Sequence, residues 1–581
     1  MDPIFHAVDP VGGNKPTNSS SHTLREINSG KGLPMALVDP RNNDYDVSKL
    51  QSASIIGHVT PNTARIWIRV YKSGTWSLVW SREPIDGDLV KLDGKPIANF
   101  LKGFDCAYES YLFSRDDDLT HTFDLESLDQ DTTYYYYLMT DETDGSDTFR
   151  RTEIGCHKSL SFRTMADEMP DFSFGFYSCH DPFNANGSYG AWPLFLERMN
   201  TATARFAIGG GDQVYVDCQD SKYFPDIWEW LKDNKDDLIV ESSTNGKLDT
   251  KKLDAYLLDL YRWYYRVYWK FPHMQEAFSK FPQYMIWDDH EIMDGWGSRT
   301  DAERLAIISR YFKRDDKATD RKLVNSMWSA ARTAYFEYAH SHNPNTGTTK
   351  SSLKTPDSCI WDYSFEKGDV PFYMLDLRGH HDVESPEKKN FLLGTQQVER
   401  FEAWLKKSER APSPLLFVVS PVPFVHWKSV VLTVGSWMDS AKDDCMDEWD
   451  HSSNHAERNR LLDYIFQTLD KSSKTLVFIS GDVHCAAAFR LSHNKYRKGS
   501  IYQITSSAIS RMPAGQLAGG GIANSGRISG HDTIHFEHLF SHSEDKNFAI
   551  FHVKGGVSAS VDLCWPGGTQ GEAVVKTLRL R

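Results

Sequence analysis

No apolar run in the chain approaches the ~20 residues that cross a bilayer. The N-terminus, Met1-Asp2-Pro3-Ile4-Phe5-His6, lacks a basic segment followed by an apolar one. Neither a transmembrane span nor a signal peptide is readable, so the sequence as it stands reads as cytoplasmic, or as exported if a leader has been removed. Compact cysteine spacing is missing too. The eight cysteines, at 106, 156, 179, 218, 359, 445, 485 and 564, form no CxxC pair, which excludes a cysteine-stapled fold. Basic charge is in deficit, with 65 Lys plus Arg against 79 Asp plus Glu and a net charge of −14. That balance argues against a sequence-specific nucleic-acid binder, which needs a basic field. It suits a protein that binds cations.

Aromatic residues are abundant: 17 Trp, 26 Tyr and 32 Phe supply material for a large core. A chain of 581 residues has room for about two to four domains. Residues 1–48 are polar and rich in Gly, Pro, Asn and Ser, as in an irregular arm. Residues 49–166 carry short strands, such as Ala64, Ile66, Ile68 and Val70 alternating with Arg65, Trp67 and Arg69. Turns such as Asp93-Gly94 separate them, and the stretch from Leu128 to Tyr135 is similar to the tyrosine-bearing corner of immunoglobulin- and fibronectin-like β-sandwiches.

From 167 to 520 the pattern is α/β. Apolar strands are expected at 172–177, 206–208, 284–287, 372–375, 415–419, 476–479 and 501–504, and their continuous apolar character predicts cover on both faces. Between them, Leu253, Leu257, Leu260, Tyr261, Tyr264 and Val267 share one helical face. Val398, Phe401, Trp404 and Leu405, after Thr395, mark a second helix. Leu461, Leu462, Ile465, Phe466 and Leu469 mark a third, with Asn454 and Glu457 as its cap. Residues 232–252, rich in Lys and Asp, read as a solvated excursion, and 341–356 as a surface loop. Residues 521–581 are expected to complete the domain with a Gly/Ser/His-rich loop and then strands, the last two a hairpin across 566–571.

The strand ends carry the chemistry. The first of these strands runs into Ser178-Cys179-His180-Asp181 and the second into Gly211-Asp212-Gln213-Val214-Tyr215. The third runs into Asp288-Asp289-His290-Glu291, and the 476–479 strand into Gly481-Asp482-Val483-His484. In open α/β sheets ligands collect beyond the carboxyl ends of the strands, and four such ends spread over the chain are hard to ascribe to chance. Asp oxygens and a Tyr phenolate suit hard cations, His suits Fe, Zn or Mn, and a Cys thiolate favours Fe or Zn. Cys485 reads as packing. His380-His381-Asp382 reads as a loop of surface histidines, and His426 lies too far past its strand end to count.

In order, Gly211-Asp212-x-x-Tyr215, Asp289-His290-Glu291 and Gly481-Asp482-Val483-His484 resemble the binuclear metallophosphoesterases. With Ser178-Cys179, Leu375-Asp376-Leu377-Arg378 and Asp447-Glu448-Trp449-Asp450, the chain is similar to the alkaline phosphatase D family over roughly residues 50–510. The resemblance implies a four-layer α/β-β/α sandwich preceded by the β-sandwich. It implies hydrolysis of phosphomonoesters or phosphodiesters by a metal-activated hydroxide, with a small phosphate ester as substrate. Cys179, Asp212, Tyr215 and His484 would hold an iron-like ion. Asp212 would bridge to a second site shared with Asp289 and Asp482, suited to calcium, with Zn, Mn or Mg as other fits. His290 would serve the leaving oxygen rather than a metal. Asp288 and Glu291 would be supporting residues, and His180 and Asp181 would orient the ligating groups. Arg378 is a candidate phosphoryl clamp, the alternative being an ion pair with Asp376 or another acid. By family position alone, Asp450 and His451 would line the substrate side. A protein that binds metal or phosphate without turnover is the competing reading.

Overall fold

A computed structural model describes residues 52–84, 89–91, 105–140, 148–152, 160–184, 190–217, 225–312, 316–384, 391–428, 431, 442–567 and 572–581. The expected 1–48 arm, the Asp93-Gly94 turn and most of the 566–571 hairpin tip lie outside them.

The first strands form two antiparallel sheets. Ala53–Val59, Ala64–Arg69 and Thr120–Leu125 make one; Gly74–Ser81, Cys106–Phe113 and Thr133–Thr140 belong to the other. At the expected corner, the Tyr134 hydroxyl accepts the Asp129 N–H at 2.9 Å, and its ring stacks on Phe162. Strand Cys106–Phe113 was not legible in the sequence, because its largely exposed face shows no apolar alternation.

Asp118 joins these sheets to the helices that follow. It is fully buried, pairs with Arg266 at 2.6 Å and Arg69 at 3.6 Å, and accepts the Tyr338 hydroxyl. Burial alone would raise its pKa, but Arg266, Arg69 and Arg262 override it and hold the carboxyl at about 2. A folded pKa below the unfolded one stabilises the protein above pH ~4, and that contribution, about 2 kcal/mol, is lost as the pH falls towards 2. Asp118→Asn is expected to cost about 3–5 kcal/mol at pH 7, because it strands buried guanidinium charge. Urea unfolding of both proteins at pH 7 and pH 3 measures both effects; the gap should narrow at the lower pH.

In chain order, the elements that build the rest are β1 (Phe172–Tyr177), α1 (Trp192–Thr201), β2 (Phe206–Gly210), α2 (Ile227–Glu241), α3 (Thr250–Tyr268), β3 (Gln283–Ile286) and α4 (Lys317–Tyr338). They continue with β4 (Val370–Met374), α5 (Thr395–Ser408), β5 (Leu415–Ser420), α6 (His455–Ser472), β6 (Thr475–Ser480), β7 (Ala486–His493), β8 (Ser500–Ser506), β9 (Ile534–His542), β10 (Phe548–Lys554), β11 (Ser558–Pro566) and β12 (Ala573–Arg579). One sheet has the order β3-β2-β1-β10-β11-β12. The other runs from Tyr363–Lys367 through β4, β5, β6, β8, β7 and β9 to Gly526–Arg527.

The apolar runs lie where both faces are covered. Phe174 of β1 packs edge-on against Phe372 at 5.4 Å and Phe417 at 5.3 Å, both on the second sheet. On the outer faces, Tyr177 meets Phe195 of α1, and Tyr373 meets Phe401 and Trp404 of α5. Strands β1, β2 and β3 are mutually parallel, as are β4, β5, β6 and β8. Within each group, therefore, the chain leaves the sheet on the same side.

Three expectations are corrected. Residues 232–241 belong to α2, with Trp228, Trp230, Leu231 and Leu238 buried; the Lys and Asp residues obscured its apolar face. The loop expected after residue 521 contains strand β9, whose half-buried histidines mask the alternation. Asn454 makes no side-chain cap on α6: its amide donates to Met446 and Glu448 carbonyls, while Glu457 accepts the Leu392 and Leu393 N–H groups.

Candidate metal centre

Four loops at strand ends meet at one point, and three of them have unusual backbones. Cys179 (φ 55°), Asp212 (φ 57°), Asp482 (φ 66°) and His484 (φ 52°) all adopt left-handed conformations. Such conformations cost side-chain-bearing residues of order 1–3 kcal/mol each and cluster at functional sites. These are four of the six metal ligands implied by the resemblance. Gly211, at φ 109°, must lack a side chain, since a Cβ there would lie 2.7 Å from that of Asp288. At Gly481 a Cβ would strike Ser178 Oγ at 2.4 Å. The loops are tied together by Cys179 N–H to the Gly211 carbonyl at 3.2 Å and His180 N–H to that of Asp212 at 2.7 Å.

The side chains converge accordingly. Tyr215 donates to Asp212 Oδ2 at 2.9 Å and stands 3.4 Å from His484 Nε2. Cys179 Sγ lies 3.4 Å from the same Asp212 oxygen and accepts a hydrogen bond from Ser507 Oγ at 3.0 Å. Next to this quartet, Asp212, Asp288 and Asp482 each offer an oxygen within 4.8 Å of the others. Asp212, Asp289 and His290 form an equivalent group. Asp212 belongs to both.

Electrostatics make the acidic groups a poor fit to an ion-free state. Burial, then the neighbouring carboxylates Asp288, Glu448, Asp212 and Asp289, push Asp482 well above the usual carboxylate range. Asp212 is raised as well, chiefly by burial. Its Oδ1 and the Oδ2 of Asp288 are buried with no hydrogen-bond partner. Buried carboxylate oxygens without donors are costly, and a cation is the natural complement. One thiol, one phenol, one imidazole and several carboxylates suit an iron-like ion beside a harder cation.

The placement of individual residues refines the sequence reading. Asp289 groups with His290, whereas Asp482 groups with Asp288, so Asp288 stands at ligating distance rather than only behind the site. His290 also lies at ligating distance, although the resemblance gives it a leaving-group role. Its Nδ1 is 2.7 Å from Asp217 Oδ1, and its ring packs on Tyr215 with centroids 4.1 Å apart. Burial would lower its pKa, but Asp217, Asp289 and Asp212 raise it well above the ordinary value. Asp217 was missed by the sequence reading; its only signal is its place two residues past Tyr215.

Arg378 is 2% exposed. Its guanidinium bonds to Asp288, to Asp447 at 2.5 Å and to the Trp296 carbonyl, with Asp289 at 3.5 Å. Of its two readings, the ion pair is the one these contacts support. Burial alone would raise the pKa of Asp289, yet Arg378 and His290 hold that carboxyl at about 2.

Glu291 accepts backbone N–H groups from Asp212, Gln213 and Asp288, and so clamps two strand ends together. His180 is bonded to Ser510, the Tyr268 carbonyl and Trp192, and Asp181 to Arg511 at 2.7 Å. The backbone of His180 does bear on the ligand loops, through its N–H to the Asp212 carbonyl, while its ring is held by residues outside them. His381, expected at the surface, is buried, and burial lowers its pKa to about 3. His426 contacts Cys485 Sγ at 3.2 Å, a buried pair outside the cluster. Asp450 is buried, pairing with Arg458 at 2.5 Å and accepting the His426 N–H, while His451 bonds Ser453.

A buried cluster of Asp, His, Cys and Tyr at strand ends between paired sheets defines a metal-site α/β protein. The PhoD-like phosphatase profile matches residues 174–548, and the chain belongs to that family. A Saccharomyces cerevisiae protein described as uncharacterized protein YGR266W is 24% identical over 360 residues, covering 54% of this chain and 50% of the relative. The chain thus matches about half the length of that relative. The solved structure titled "Structure of PhoD" superposes with a TM-score of 0.56 at 16% identity, covering 90% of this chain and 88% of that one, a likeness of fold. No helix among the described residues is long and apolar enough to cross a membrane.

Proposed function

We propose that this protein hydrolyses phosphate esters with the help of two or more metal ions held at the cluster. The observation that carries the reading is the convergence of four separate strand ends, with left-handed backbones at Cys179, Asp212, Asp482 and His484, on the shared carboxylate of Asp212. Family membership supports a phosphatase. The finer architecture, a four-layer catalytic sandwich preceded by an immunoglobulin-like module, is part of the same proposal and is supported by the sheet-to-sheet aromatic contacts.

Cys179, Asp212, Tyr215 and His484 would hold an iron-like ion; Asp212, Asp289 and Asp482, joined by Asp288, would hold a harder cation such as calcium. Bound cations supply Lewis acidity towards phosphoryl oxygens and lower the pKa of water towards neutrality. The chain's own part is orientation and proton handling. Asp217 fixes His290 through Nδ1, which leaves Nε2 to hold a proton for the departing ester oxygen. Glu291 and Arg378 keep the Asp212 and Asp288-Asp289 loops in register. Elemental analysis combined with hydrolysis of aryl phosphate mono- and diesters tests the proposal. Metal-dependent turnover of either ester is expected. Chelated protein that keeps full activity, or metal-loaded protein that binds phosphate and never turns over an ester, would overturn it, the latter in favour of a binding protein.

A further inference from the structure

We propose that Arg511 binds the phosphoryl oxygens of the substrate at the mouth of the cluster; the inference rests on the phosphoesterase reading. An anionic ester approaching a group of carboxylates needs a cationic side chain that faces it. Arg378 lies behind the carboxylates, with its guanidinium turned onto Asp288 and Asp447. Arg511 is placed otherwise. It follows β8 on a segment that wraps the metal-ligand loops: Ser510 and Arg511 N–H both point to the Cys179 carbonyl, at 3.4 and 3.2 Å, and Ala514 N–H to that of His484 at 3.0 Å.

The guanidinium carbon stands 4.3 Å from the centroid of the Tyr215 ring, whose hydroxyl bonds Asp212. A guanidinium stacked on an aromatic face keeps its N–H groups in a plane of their own, the geometry that matches a phosphate edge. Asp181 sets the direction of that plane. Fully buried, it accepts from Arg511 Nη1 at 2.7 Å and is itself held by the Tyr268 hydroxyl at 3.3 Å and the Asn184 N–H at 3.2 Å. The Arg511 side chain is 22% exposed against 2% for Arg378, so its guanidinium is open to a ligand from solvent while that of Arg378 is not.

The test compares metal-loaded wild type, Arg511→Ala and Arg511→Lys by aryl phosphate kinetics, calorimetric titration of inorganic phosphate and elemental analysis. Arg511→Ala should raise KM and weaken phosphate binding at least ~10-fold, with kcat within ~3-fold and metal content unchanged. Arg511→Lys should fall between, since it keeps the charge and loses the planar fork. Wild-type KM and phosphate affinity in Arg511→Ala would overturn the proposal. So would a fall in kcat that tracks lost metal, which is what a merely structural role beside Cys179 would produce. If wild type turns over no ester, the phosphoesterase reading fails by itself. The phosphate titration still decides Arg511, with equal affinity in wild type and Arg511→Ala counting against it.

Discussion

Asp212→Asn is expected to abolish metal binding and lower ester hydrolysis at least ~10³-fold, the equivalent of about 4 kcal/mol in the barrier. Asp212 is the only residue common to both acidic groups, and its Oδ2 is approached by both Tyr215 and Cys179. The substitution should nevertheless leave the metal-free protein folded and at least as stable. Burial and the nearby Asp289 already raise the pKa of Asp212, so ionised Asp212 is disfavoured there, and an amide keeps an acceptor for the Tyr215 hydroxyl. Thermal unfolding with and without added divalent cation separates the two effects. Wild type should gain about 2.7 kcal/mol at a free-metal concentration 100 times Kd, whereas the variant gains nothing. A variant that keeps its metal and its turnover would remove Asp212 from the centre of the site.

His290→Gln should slow turnover by about 10²–10⁴-fold, the usual worth of a positioned acid or base, while metal content stays at the wild-type level. Asp217→Ala should act in the same direction by about 10- to 100-fold, because it frees the ring that Asp217 Oδ1 holds at 2.7 Å. Elemental analysis of the same samples makes the measurement decisive. The geometry also places a His290 nitrogen within reach of Asp212 and Asp289. If His290→Gln loses an ion in proportion to activity, His290 is a ligand, and the leaving-group role passes elsewhere. If metal is retained and kcat falls with KM little changed, the proton-handling role stands.

Several features were legible because they are local. Continuous apolar runs at 172–177, 206–208, 415–419 and 476–479 became β1, β2, β5 and β6, since a strand covered on both faces needs no alternation. Helix α2 was hidden because charge dominates its composition although its apolar positions face inward. Strand β9 was hidden because histidine is ambiguous between core and surface.

The site divides along the same line. From the sequence alone came the residue types and their positions after four buried strands, and the family resemblance carried by those motifs singled out Cys179, Asp212, Tyr215, Asp289, Asp482 and His484 among them. What only the tertiary structure decided is which groups face one another. Asp217 holds His290 across 73 residues of chain, Arg378 closes on Asp288 and Asp447, and Arg511 is held over Tyr215 by Asp181. Candidate ligands stand out at each strand end, because a carboxylate or thiol is conspicuous after a run of Phe, Val and Ile. Pairing does not, because an Asp or Arg in a loop reads the same whether it faces solvent, an ion or a buried counter-charge. Only the approach of distant loops over parallel strands makes that choice.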